Sequence, residues 1–336
     1  CDLFAELTGV ERVGIHDGFF SIGGHSLLAM RLLAKLKEVF GKQIPMRLIY
    51  EYPAPKSLAN QINIGVNIPY IPIFPLRSTG TKRPVFCVHP GGGFGTVYQN
   101  FAESLGKDYP VWAFQARGLE VGETPHTSIT EMASDYVNAM RNVQSTGPYL
   151  LLGWSFGGNV AHQMAVQLEN IGETVDVLIL MDTTANFPDY DRSSLSHEQK
   201  VQKELKKLAQ EFQLDDENVS LENKVLLQRI INRLIEQRII PSKTDITAFR
   251  RILNVYVNSS ELMLAHKPIS CGSTILHARA SLDVPPVDAQ TFDWARYTNQ
   301  NIIERSVNSS HGDMWEVGPS RQVSEFLKSY LGYKIT

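Results

Sequence analysis

Tyr149-Leu150-Leu151-Leu152-Gly153-Trp154-Ser155-Phe156-Gly157-Gly158 decides how this chain is read. An unbroken apolar run ends in a G-x-S-x-G pattern, and the residues from Gly157 to Asn170 then follow a helical period, so a buried strand turns sharply into a helix. A serine at such a turn has strained backbone angles. Small neighbours are required, because side chains at Gly153 and Gly157 would collide with the adjoining strand and helix. The turn also aims Ser155 at the positive end of the helix, which favours the negative charge that develops in acyl transfer. A bare match would read equally well as a helix-capping serine among packing glycines; the strand before it and the helix after it favour a nucleophile.

Working outward, apolar strands alternate with amphipathic helices: Val85 to His89, a helix near Val97 to Leu105, Val111 to Phe114, a helix from Ile129 to Val143, the nucleophile strand and its helix, and Val175 to Met181. This alternation implies α/β architecture, a parallel sheet covered on both faces. From about Ala185 to Leu264 helical periodicity replaces strands, with Val201, Leu205, Leu208 and Phe212 on one stripe behind a capping box of Ser196 and Gln199, and Leu227, Ile231, Leu234 and Arg238 on another. This stretch is an insertion. Strands return at Ser273 to His277 and Ile302 to Val307, and a last helix runs from about Ser320 to Leu331.

Upstream, residues 1–64 read as a small helical bundle. Its best helix runs from Ser26 to about Phe40, with Leu28, Leu32, Leu36, Val39 and Phe40 on the apolar face, and a short last helix covers Ser57 to Ile62. Residues 65–80, with Gly65, Pro69, Pro72 and Pro75, have the composition of a linker. The second domain then occupies residues 81–336, with the helical insertion at about 185–264. The chain has 336 residues, enough for a small core beside a large one. Its first residues lack an initiator Met and begin inside a helical pattern, as expected for a piece of a longer polypeptide.

A formal charge of −3 offers nothing to nucleic acid or to an anionic membrane. No apolar run reaches the roughly 18 residues that span a bilayer. The three scattered cysteines, Cys1, Cys87 and Cys271, match neither a disulfide framework nor a zinc cluster, so the expectation is a cytoplasmic protein without a metal site.

Ser155 needs a base, because a serine hydroxyl is a poor nucleophile until an imidazole takes its proton. His311 suits this role, in a loop after the last strand and before the final helix, whereas His25, His162 and His197 read as surface or packing residues. The acid that orients the imidazole should come from another strand end. Asp182, delivered by Val177-Leu178-Ile179-Leu180-Met181, is the first choice and Asp283 the second; chemistry alone allows either. Two backbone N–H groups must hold the oxyanion, one from Phe156 and one from Gly91 in the loop His89-Pro90-Gly91-Gly92-Gly93, which lacks the Lys-Ser/Thr ending of a P-loop.

Asp17-Gly18-Phe19-Phe20-Ser21-Ile22-Gly23-Gly24-His25-Ser26-Leu27, with Leu48-Ile49-Tyr50-Glu51-Tyr52-Pro53, resembles the phosphopantetheine attachment motif of peptidyl carrier domains in nonribosomal peptide synthetases, over essentially all of residues 2–62. Without the motif, Ser26 would be an ordinary helix N-cap. The second domain is similar to the terminal type I thioesterases of the same assembly lines, which are α/β-hydrolases with a helical lid, on Val88-His89-Pro90-Gly91-Gly92-Gly93, Gly153 to Gly158, the strand ending in Asp182, and Ser310-His311-Gly312. In that family the acid follows the strand after the nucleophile's helix, which favours Asp182 over Asp283. The insertion of about eighty residues is long for such a lid.

The resemblance implies 4′-phosphopantetheine carried covalently on Ser26, transfer of an acyl or peptidyl chain from that arm to Ser155, and release by hydrolysis or macrocyclisation in secondary metabolite biosynthesis. It implies as partners the acyl thioester substrate, upstream condensation and adenylation domains, and a phosphopantetheinyl transferase. The competing expectations are a carrier beside a non-catalytic, hydrolase-like docking domain, and an ordinary esterase, which would have no use for Ser26.

Overall fold

The computed structural model describes residues 1–24, 26–41, 44, 47–64, 70–185, 195–214, 219–236, 240, 244–283 and 293–333. By their internal contacts they form two compact units, residues 1–70 with 195–253 and residues 71–194 with 254–336. Segment 195–253, read from sequence as part of the insertion, is thus grouped with the N-terminal bundle.

In the first unit, α1 (Asp2–Thr8), α2 (Ser26–Phe40), α3 (Arg47–Glu51) and α4 (Pro55–Ile64) enclose a core of Phe4, Phe19, Leu32, Leu36, Leu48, Ile49, Leu58 and Ile62. On α2 the buried face is Ala29, Leu32 and Leu36. Val39 and Phe40, expected on the same face, lie exposed in the last turn. Two further amphipathic helices are α8 (His197–Glu211) and α9 (Lys224–Glu236). The Ser196 hydroxyl accepts from Gln199 N–H and the Gln199 side chain accepts from Ser196 N–H, so α8 opens on the reciprocal capping box read from sequence.

The second unit is built on a sheet with strand order β1-β3-β2-β4-β5-β6-β7, from β1 (Ile73–Arg77), β2 (Val85–Val88), β3 (Val111–Phe114), β4 (Tyr149–Trp154), β5 (Val175–Met181), β6 (Thr274–Ala280) and β7 (Ile302–Val307). All neighbouring strands pair in parallel except β1, which runs antiparallel to β3. β1 lies inside the stretch read as linker. Proline is tolerated there because β1 is an edge strand and its pairing shifts register between Pro75 and Arg77. On β4, Tyr149 and Leu151 join the core formed with α6 (Ile129–Arg141) and α7 (Phe156–Asn170), while Leu150 and Leu152 are buried towards the other face. Burial on both faces is why these strands read as continuous apolar runs rather than alternating ones. A second helix pair, α5 (Gln99–Leu105) and α11 (Val317–Tyr333), packs together. The division between the units falls within α10 (Ile246–Ala265). Among the described residues, no helix is long and apolar enough to cross a membrane.

Candidate active site

Ser155 stands between β4 and α7 with φ 54° and ψ −127°, a conformation that an L-residue adopts only under constraint. Three features impose it. Its N–H donates to Met181 O at 3.0 Å, at the end of the neighbouring strand. A Cβ on Gly153 would run into the Gly157 carbonyl, and a Cβ on Gly157 would run into the carbonyls of Val88 and His89, so the turn accepts no side chain at either place. The buried Tyr98 hydroxyl accepts from Trp154 N–H at 2.9 Å and donates to Val88 O at 2.5 Å, tying the end of β4 to the end of β2.

Asp182 leaves β5 with φ 43°, and its N–H donates to Ala278 O at 2.7 Å. Its side chain is buried, and both carboxylate oxygens are engaged: Oδ1 accepts from Ala280 N–H at 2.9 Å and Oδ2 from His311 Nδ1 at 2.7 Å. A carboxylate can only accept, so Nδ1 carries a hydrogen and Nε2 is the ring nitrogen turned towards Ser155. That Nε2 lies 3.1 Å from Ser155 Oγ. The imidazole is half exposed and rests against Trp154, with ring centroids 5.8 Å apart.

The structure therefore brings Ser155, His311 and Asp182 into one hydrogen-bonded line, each residue lying past the carboxyl end of β4, β7 and β5 respectively. Asp283, the second candidate acid, is not on the ring: its carboxylate accepts from the His311 backbone N–H. His162 is buried in α7, where Nε2 bonds Tyr297 O at 3.0 Å. His197 is exposed at the start of α8, and His25 lies outside the described residues.

Phe156 is the first residue of α7, so its N–H has no acceptor within that helix. Gly91 sits in the turn closed by Gly93 N–H to Pro90 O at 2.9 Å. His89, the first residue of the glycine-rich loop motif, anchors this turn through a partner distant in sequence. It is fully buried, with Nδ1 2.8 Å from Pro90 O and Nε2 2.6 Å from the Tyr136 hydroxyl. Burial lowers its pKa from 6.5 to about 4, so the ring is neutral and acts as a structural link. Its ring centroid also lies 6.0 Å from that of Phe156, joining the Gly91 turn to the start of α7, where the candidate oxyanion donors lie.

In the N-terminal bundle, Ser26 opens the 15-residue helix α2. The approach is tight: Gly23 has φ 99°, Gly24 N–H donates to Phe19 O at 2.8 Å, and a Cβ on Gly24 would run into the Phe19 ring and carbonyl. The start of a long helix offers free N–H groups and a positive dipole end, which fit a phosphodiester. The Ser26 side chain is not among the described parts. Among the described residues, no cluster of His, Cys, Asp or Glu could hold a metal ion.

The profile of the thioesterase domain family matches residues 83–315, and that of the phosphopantetheine attachment site matches residues 1–62. A dimodular nonribosomal peptide synthase of Bacillus subtilis (strain 168) is 33% identical over 97% of this chain, and the chain spans 14% of that relative's length. A holo four-domain nonribosomal peptide synthetase, solved with AMP and glycine, superposes with a TM-score of 0.68 at 25% identity, over 98% of this chain and 25% of that one. The NocB thioesterase domain shares the fold at a TM-score of 0.57 and 20% identity, over 77% of this chain and 99% of its own.

Proposed function

The chain belongs to the thioesterase domain family and carries a phosphopantetheine attachment domain ahead of it, and from that premise we propose that it is the terminal carrier and thioesterase portion of a nonribosomal peptide synthetase. In this reading residues 1–64 are the carrier domain, with Ser26 as its attachment point. Residues 81–336, with the edge strand β1 (Ile73–Arg77) ahead of them, are the thioesterase, with a lid at about 185–264. Ser155, His311 and Asp182 are its catalytic triad, and Phe156 and Gly91 its oxyanion donors. The observation that carries the proposal is the continuous bond line Oγ(155), Nε2 and Nδ1(311), Oδ2(182) in a chain that also holds an attachment domain.

When bound, phosphopantetheine supplies a thioester linkage whose thiol is a good leaving group. Ser155 Oγ attacks the substrate carbonyl carbon as its proton moves to His311 Nε2, and the Asp182 carboxylate stabilises the imidazolium through Nδ1–H. The carbonyl oxygen becomes negative and accepts from Phe156 N–H and Gly91 N–H, in addition to the positive end of α7. As the C–S bond breaks, Nε2 returns the proton to the departing thiolate, leaving the acyl group as an ester on Ser155. In the second half His311 takes a proton from the acceptor, which attacks the ester, and Ser155 Oγ leaves with that proton. Water as acceptor gives a free acid; a hydroxyl or amine of the acyl chain itself gives a ring.

The partners in this reading are the acyl or peptidyl thioester, upstream condensation and adenylation domains, and a phosphopantetheinyl transferase, in the cytoplasm. The test is to load Ser26 with a synthetic acyl-pantetheine and weigh the product. Release that requires Ser155 supports the proposal, and the mass distinguishes hydrolysis from ring closure, which differ by one water. Release at the same rate from Ser155→Ala overturns it.

A further inference from the structure

Residues 280–283 leave β6 as a short strap that holds two members of the candidate triad at once. At one end Ala280 N–H donates to Asp182 Oδ1 at 2.9 Å. Next, Ser281 N–H and hydroxyl both donate to Val307 O, each at 3.0 Å, and Leu282 N–H donates to Ser309 O at 3.0 Å. At the other end the Asp283 carboxylate accepts from His311 N–H. The strap therefore follows the β7 loop bond by bond and closes on the residue whose ring faces Ser155.

We propose that Asp283 is a positioning residue for the acyl transfer at Ser155, acting by clamping the His311 backbone rather than by touching the imidazole. The inference rests on the assignment of His311 as the base of Ser155. The ring's own hydrogen bonds go to Asp182 and Ser155, which fix where its two nitrogens lie. They do not fix the backbone of a loop whose histidine side chain is 47% exposed. A half-exposed ring on a free loop would sample rotations that withdraw Nε2 from Ser155 Oγ. An acceptor on the main-chain N–H ties the His311 backbone to the strap and removes that freedom at the Cα. The chain thus uses both carboxylates that follow neighbouring strands: Asp182 on the ring, Asp283 on the backbone of the same residue.

The predicted signature separates positioning from acid catalysis. Asn at 283 keeps an acceptor oxygen of the same reach, while Ala removes it. Labelling of Ser155 by a fluorophosphonate reads nucleophile activation without any carrier-bound substrate. Asp283→Ala is expected to slow labelling, and to lower kcat for release with KM unchanged, by about 10- to 100-fold, the usual effect of a small misplacement of a reacting group. Asp283→Asn is expected to stay within about threefold of the parent chain in both measurements. Equal rates for Asp283→Ala and the parent overturn the inference; so does a loss in Asp283→Asn as deep as in Asp283→Ala, which would mean that the charge, not the clamp, matters. If the alanine variant folds poorly, Asp283→Leu, of similar size and without an acceptor, takes its place: labelling slowed as expected for alanine supports the clamp, and a parental rate overturns it. A parent chain that takes no label at all is a different failure, since it removes His311 and Ser155 as a working pair and the clamp with them.

Discussion

Asp182 and His311 lie 129 residues apart in the chain and meet through a 2.7 Å hydrogen bond between Oδ2 and Nδ1. The bond sets which ring nitrogen carries the hydrogen, and hence which one can take the serine proton. Asp182→Asn can donate as well as accept, which allows the ring to turn its hydrogen towards Ser155. The expected loss in kcat for acyl release is about 10³- to 10⁴-fold with the fold intact. Single-turnover release from the loaded carrier measures it, and a loss below tenfold would contradict the assignment of Asp182.

Ser155 holds φ at 54°, in the region that favours glycine. Backbone strain of this kind costs about 1–3 kcal/mol. Glycine relieves it, whereas alanine does not. Ser155→Gly and Ser155→Ala should both abolish release, and Ser155→Gly should be the more stable by about 1 kcal/mol, after allowing for the greater freedom of glycine in the unfolded chain. Urea unfolding of the two variants checks the order, and a more stable alanine variant would contradict it.

The Tyr98 hydroxyl joins Trp154 N–H to Val88 O in a fully buried position. Tyr98→Phe leaves both backbone groups without their partner. An orphaned buried polar group costs about 1–3 kcal/mol. A drop of this size in unfolding free energy is expected, whereas an unchanged urea midpoint would mean that the strand ends are tied by other means.

Burial holds His89, His162 and His266 below their ordinary pKa of 6.5, each at about 4. All three are neutral in the folded protein, so above pH 6.5 they do not bias folding. As pH falls from 6.5 towards 4 the unfolded chain takes up protons that the folded chain refuses, and stability is lost across that window. For the fully buried His89 and His162 the loss is on the order of 3 kcal/mol each. Glu131 works in a lower window. Hydrogen bonds from Thr127 hold its carboxyl at about 2, so its contribution disappears only as pH falls below 4.5. Urea midpoints measured from pH 7 to pH 4 should therefore fall steeply, and a flat profile would contradict the burial of these rings.

Much of the site was legible because each of its side chains follows a strand end. In a parallel sheet those ends lie on one edge, so Ser155 after β4, Asp182 after β5 and His311 after β7 are brought near one another by topology. The Ser196–Gln199 capping box was legible because it is local. β1 was hidden by Pro72 and Pro75, whose composition reads as linker unless the strand is known to be an edge. The exposure of Val39 and Phe40 was hidden because a helical period does not say where the opposing core stops. Tyr98 carries no motif, and although His89 lies in the glycine-rich loop motif and Asp283 was a candidate acid, the role of each depends on a partner brought close only by folding. Chemistry alone left Asp182 and Asp283 open, since both leave neighbouring strands; the family resemblance favoured Asp182, and the fold puts Asp182 on the ring and Asp283 on the backbone.

In the proposed reaction an acyl group passes from the arm on Ser26 to the oxygen of Ser155 before anything is released. Rapid-quench digestion of the loaded chain, followed by mass analysis of the peptides containing residues 26 and 155, tests it most directly. The acyl mass is expected to leave the Ser26 peptide, accumulate transiently on the Ser155 peptide and only then give product, whereas Ser155→Ala keeps it on the Ser26 peptide. Product formed while the Ser155 peptide never gains the acyl mass, with Ser155→Ala releasing at the same rate, would contradict it.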